Sequence, residues 1–201
     1  MRRRALLVAP LLLASCGLSE RPYAERRQWP LLVRRPPVDR RPLADRRRAA
    51  SRQVLLVRGV QAGPGMDQRG LQSLQADGSI RTDFYEEWGA PPALAAEEAL
   101  RRWLTDSALF SAVIASASRL EPDLVLEGEL TGLWSVPALG QAHAALGVTV
   151  VAQRGAIPRV LLQQTISAET PLAGTSTREA VEAQVAALAT VFDRIEAMLR
   201  R

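Results

Sequence analysis

The chain has 201 residues, one cysteine, one histidine and a formal charge of +5. One cysteine excludes an intramolecular disulfide framework, and one histidine without thiolate companions makes no metal site. The positive charge is confined to the N-terminal quarter: residues 1–15 hold three arginines and no acid, residues 16–52 eleven arginines against four acids, and residues 53–201 twelve against seventeen, so the body is net −5 and gives no support to a nucleic-acid partner.

Arg2, Arg3 and Arg4 precede an apolar run, Ala5 to Leu13, interrupted once by Pro10. The run is far shorter than the roughly 20 residues that span a bilayer, so it reads as the core of a removable signal. It ends in Leu13-Ala14-Ser15-Cys16, a lipobox pattern. Cleavage is expected between Ser15 and Cys16. The Cys16 thiol then takes a diacylglyceryl group and the freed amine a further acyl chain such as palmitate. Two or three chains anchor stably where one is marginal. These covalent lipids are the only non-protein groups expected; no metal or other cofactor is.

Residues 16–52 read as an Arg/Pro-rich linker, with Arg34-Arg35-Pro36-Pro37, Arg40-Arg41-Pro42 and Arg46-Arg47-Arg48. Proline removes donors and like charges repel, which disfavours a compact core. The arm either lies on anionic headgroups or is a solvated spacer. The alternative for Tyr23 and Trp29-Pro30-Leu31-Leu32-Val33 is a first edge strand docked on the body.

Residues 53–201 amount to one domain. Val54 to Val57 reads as a short strand. Leu71–Gln75 and Ile80–Tyr85 form a hairpin across Asp77-Gly78, a strong two-residue turn signal. Pro91-Pro92 opens a helix with Ala96, Leu100, Trp103 and Leu104 on one face. Phe110 to Ala115 follows as a strand. Leu124 to Val136 alternates, with Leu124, Leu126, Leu130, Trp134 and Val136 on one face and Glu127, Glu129 and Thr131 on the other. Leu146–Ala152 and Arg159–Ala168 complete a meander, the latter with Val160, Leu162 and Ile166 in phase. Ser176-x-x-Glu179 is a capping box. It opens a last helix whose stripe, Val181, Val185, Leu188, Phe192, Ile195 and Leu199, is expected to lie across the sheet. The expected fold is α+β in two layers, a mostly antiparallel sheet with two main helices packed on it.

Chemistry is sparse. His143 sits in a turn-like Gly140-Gln141-Ala142-His143 stretch with no nucleophile beside it. Glu127 with Glu129 follows strand alternation on a wet face. Glu86-Glu87 and Glu97-Glu98 read as surface pairs. Gly63-Pro64-Gly65 lacks the ending of a phosphate loop. No enzyme signature is present.

Three segments, Val54-Leu55-Leu56-Val57-Arg58-Gly59-Val60, Phe84-Tyr85-Glu86-Glu87-Trp88-Gly89-Ala90-Pro91-Pro92 and Asp123-Leu124-Val125-Leu126-Glu127-Gly128-Glu129-Leu130, occur in an order that resembles the ABC-type transport auxiliary lipoprotein family, which includes the paraquat-inducible protein C lipoproteins. The resemblance covers roughly residues 52–200 and departs in the Arg/Pro-rich spacer. It implies a non-enzymatic accessory subunit of an envelope lipid-transport system, partnered by a substrate-binding protein of the mammalian cell entry type and an ABC permease. It implies docking at the periplasmic face of the outer membrane, since Gly17 follows Cys16 where aspartate is associated with inner-membrane retention. The hairpin with Tyr85 and Trp88 is the candidate partner surface; Trp88 could equally staple the helix start to the sheet. A homo-oligomer is compatible with this picture. The competing classes are a lipid-binding carrier module and a lipoprotein plug or assembly factor for an outer-membrane β-barrel.

Overall fold

The structure, a computed structural model, describes residues 25–36, 52–155 and 157–200. Ser15, Cys16, Gly17 and Tyr23 lie outside the described residues, as does most of the Arg/Pro-rich stretch. The elements in order are β1 (Arg27–Trp29), β2 (Val54–Ala62), β3 (Gly70–Leu74), β4 (Ile80–Trp88), α1 (Pro92–Ser107), β5 (Ala112–Ala115), β6 (Leu124–Val136), a 3₁₀ turn (Pro137–Leu139), β7 (Gln141–Ala152), β8 (Arg159–Pro171) and α2 (Thr177–Leu199).

All eight strands form one open sheet centred on β6. On one side β7 and then β8 pair antiparallel along their lengths, each ladder broken by a single bulge, as the expected meander. On the other side the N-terminal half of β6 pairs parallel with β2, which pairs parallel with β5. The far end of β6 meets β3 at Ser73↔Ser135, and β3 leads through the antiparallel hairpin to β4 and its parallel partner β1. Both helices cover one face: α1 packs on β2, β5 and β6, and α2 on β7, β8 and β6.

The local chemistry follows the sequence closely. Gly78 takes φ +84°, which a side chain would resist. Its N–H donates to Gln75 O at 3.0 Å, while the Asp77 carboxylate accepts from the Ser79 N–H at 2.9 Å. Pro92 opens α1, with Pro91 as its cap residue. At α2 the Glu179 N–H donates to Ser176 Oγ (3.3 Å) and the Ser176 N–H to Glu179 Oε2 (2.9 Å), the reciprocal capping box. The helix stripes meet over the sheet, where Trp103 and Phe192 pack edge to face at 5.8 Å. Leu126, Leu130, Leu146, Val150 and Ile166 supply the sheet side of the core.

Two bulges correct the alternation read from sequence. Leu130 pairs with Leu146 and Gly132 with Ala145, so Thr131 is extra. Each extra residue reverses the side-chain phase. Leu133 therefore joins the core, and Trp134 and Val136 turn to the face of Glu129, away from Leu124 and Leu126. In β8, Val150 pairs with Leu162 and Val151 with Val160, so Leu161 is extra and Val160 is exposed, out of phase with Leu162.

Part of the stretch read as linker is seated on the body, as the edge-strand alternative has it. Arg27, Gln28 and Trp29 pair with Glu86, Glu87 and Trp88. Beyond them Leu31 is buried in the core, and Arg35 reaches the end of α2. There the buried Glu196 accepts from Arg35 Nε (2.7 Å) and Nη2 (2.8 Å) and from Trp103 Nε1 (2.7 Å), with Arg200 as a further partner. One carboxylate thus joins the N-terminal segment to both helices.

Candidate docking surface

Among the described residues β4 carries the most exposed aromatic pair, and a bulge puts it there. Gln72 of β3 pairs with Thr82, but Gly70 pairs with Glu87, so four residues of β4, Asp83 to Glu86, stand opposite Leu71 alone. The Asp83 carboxylate closes the bulge by accepting the N–H groups of Tyr85 (2.8 Å) and Glu86 (3.0 Å). Two backbone donors are satisfied without a neighbouring strand. Phe84 and Tyr85 are pushed into solvent, 65% and 47% exposed, edge to face at 5.1 Å. The Arg26 guanidinium lies 4.2 Å over the Phe84 ring, a cation–π contact.

Tyr85 is therefore on the surface as expected, and Trp88 is not. Trp88 is 1% exposed and belongs to the core. Its N–H donates to Arg69 O at 2.7 Å and its carbonyl accepts from Arg69 Nε at 2.9 Å. It staples the β4–α1 junction. Alternation could not assign it, because the bulge makes the phase at Tyr85 uninformative about Trp88. Phe84, which the sequence reading did not single out, is the larger exposed surface; the signal was an aspartate directly ahead of two adjacent aromatics. Glu86 and Glu87 are also not a free pair: Trp29 Nε1 donates to Glu86 (2.7 Å), Gln28 Nε2 to Glu87 (3.0 Å), and Arg69 pairs with Glu87 at 3.1 Å.

Beside the bulge, a cleft of about 450 Å³ lies between the hairpin and the start of α2, lined by Arg81, Asp83, Glu86, Thr177 and Gln184 among others. Gln184 is buried there with its carbonyl oxygen unpartnered. Glu127 lies on the opposite face of the sheet, paired with Arg58 at 2.6 Å, and Glu129 beside it is exposed. Among the described residues no group of three or more His, Cys, Asp or Glu is placed to hold a metal, and no helix is long and apolar enough to cross a membrane.

His143 is in strand β7, not on a turn, because Gly140 at φ +62° ends the 3₁₀ turn one residue before the strand begins. Its ring stacks on Trp134 at 5.0 Å, with Glu169 at 3.9 Å across the ladder. Burial pushes its pKa below the usual histidine value, and Glu169 opposes this only partly. The neutral ring is therefore favoured in the fold. Stability is expected to fall as pH drops through and below about 6.5, and His143→Gln to flatten that slope. Urea midpoints measured across this range check it.

The body and its sheet have counterparts of known structure. A crystallised Xanthomonas campestris protein of the DUF330 family superposes with a TM-score of 0.69 at 20% identity, over 85% of this chain and 92% of its own. A hypothetical protein from Chlamydia trachomatis gives 0.56 at 14% identity, over 75% and 96%. At these identities the likeness is one of fold. No curated protein matches the chain. The family model described as the ABC-type transport auxiliary lipoprotein component matches residues 39–196, most of the chain, and the chain belongs to that family.

Proposed function

We propose that this protein is a lipid-anchored, non-catalytic accessory subunit that docks a substrate-binding protein of the mammalian cell entry type to the outer membrane. The anchor is Cys16, and the ABC permease stands at the other end of the system. The observation that carries the reading is the aromatic bulge. Phe84 and Tyr85 are held out from the fold by a satisfied backbone, a costly display unless a partner covers it. Aromatic side chains are favoured anchors at interfaces because they bring large, stiff contact area. Family membership supports the transport context.

Affinity purification from gently solubilised envelopes, with in situ crosslinking and mass spectrometry, tests this. Recovery of a mammalian cell entry protein with its permease is the expected result. Recovery of phospholipid alone would favour a carrier using the cleft beside α2. Recovery of a β-barrel protein alone would favour the plug.

A further inference from the structure

The end of the sheet where β6 begins, β7 ends and β8 begins is organised by one buried carboxylate. Asp123 accepts the Val54 N–H at 2.7 Å, donates its own N–H to Val54 O at 2.9 Å, accepts the Gln153 N–H on its carbonyl at 2.8 Å, and pairs with Arg154. It ties β2, β6 and the β7–β8 connection into a fixed platform. On that platform stand large aliphatic side chains in water. Ile157 is 80% exposed, and Val160 and Leu161, at the β8 bulge, are exposed beside it. Leu120, three residues ahead of Asp123, is exposed as well.

Single exposed aliphatics are ordinary; a group of them interleaved with cations is not. Arg119, Arg154 and Arg159 stand at this same end of the sheet, as do Glu121 and Asp123. Arg119 and Arg159 have no ion pair among the described residues, and Arg52 precedes β2 at the same end. The body as a whole is net −5, so this end is a positive spot on an acidic domain. It carries no aromatic side chain among these exposed residues, which sets it apart from the Phe84–Tyr85 surface and from the aromatic-rich composition of protein interfaces. Aliphatic side chains flanked by guanidinium groups match the acyl–phosphate boundary of an anionic bilayer.

We infer that this end of the sheet is a foot that seats the domain on an anionic lipid surface. It gives the domain a direction. β6 has 13 residues, so at roughly 3.3 Å per residue its ends lie about 40 Å apart. The β3–β4 hairpin joins the sheet at Ser135, the end away from the foot. The acidic remainder is repelled by the same lipids. With the foot down, the hairpin stands off the membrane, where a bridging partner can reach it. The inference rests on the anchored reading only for the tether, which holds a weak foot at high local concentration.

The test uses the full lipidated chain in vesicles with no partner present, so it stands or falls separately from docking. Cys16 is the only native cysteine and is blocked by its lipid, so Ile157→Cys introduces a single reactive thiol, with Leu139→Cys, exposed beyond the other end of β6, as control. Each is labelled with an environment-sensitive fluorophore and read against a brominated-lipid quencher. In vesicles with about a third phosphatidylglycerol, the label at 157 is expected to be quenched several-fold more than the label at 139. Adding Arg119→Gln and Arg159→Gln, which leave the Arg154–Asp123 pair in place, is expected to weaken the seating about five-fold per arginine. Equal quenching at both positions, no quenching at 157, or quenching that is the same in neutral vesicles would overturn the inference. So would a shift at 157 that follows protein density and ignores the quencher, which would mean that a second copy covers this end.

Discussion

Glu196→Ala is expected to lower the folding free energy by about 3–5 kcal/mol, the cost of breaking a buried ion pair from one side. The change strands the Arg35 guanidinium, whose side chain is 7% exposed, and leaves the Trp103 N–H unpaired. Replacing both charges at once, Arg35→Met with Glu196→Leu, removes the stranded charge, leaves only the Trp103 N–H unpaired, and is expected to cost less than either single change. Urea denaturation of the three variants measures this, and comparable losses in all three would contradict it. The site also sets a pH dependence. Burial raises the Glu196 pKa, but the hydrogen bonds from Arg35, Arg200 and Trp103 outweigh it and hold the group below its usual value. The unfolded chain therefore binds the proton first. The contribution is complete above the ordinary glutamate value of 4.5 and is lost as pH falls through the depressed one. Glu196→Gln is expected to lack this acid-range loss.

Trp88→Ala is expected to cost about 3–5 kcal/mol, because it opens a cavity at the junction of β4, β1 and α1. Tyr85→Ala, three residues away and half exposed, is expected to stay within about 0.5 kcal/mol. Partner capture should order them the other way. Phe84→Ala with Tyr85→Ala is expected to abolish recovery of the partner while leaving the melting transition in place. Calorimetry beside the envelope pull-down separates the two roles. A Tyr85→Ala variant that unfolds, or a Trp88→Ala variant as stable as the parent, would remove the distinction on which the docking surface rests.

Much of this architecture is legible in the sequence because its signals are local. The Asp77-Gly78 turn, the Pro91-Pro92 opening of α1 and the Ser176–Glu179 box each specify their own geometry. The stripes of both helices and the bounds of β6 follow from period alone. What alternation could not show is where it breaks. Thr131 and Leu161 each insert one residue into a ladder, and nothing in their own side chains marks the bulge, so alternation alone puts Trp134, Val136 and Val160 on the wrong face. The bulge at Asp83 to Glu86 hid the difference between Tyr85 and Trp88 for the same reason. The buried pair of Arg35 with Glu196 joins positions far apart in the chain, and an arginine beside two prolines looks locally like linker. His143 could not be placed because its stacking partner, Trp134, depends on the Thr131 bulge.

The most direct test of the docking claim is to replace Tyr85 with a photo-crosslinking residue in the native envelope, with Leu94 on the exposed side of α1 as control. The account predicts an adduct with a mammalian cell entry-type protein from position 85 and none from position 94. An adduct from 94 alone, or only lipid adducts at 85, would contradict it.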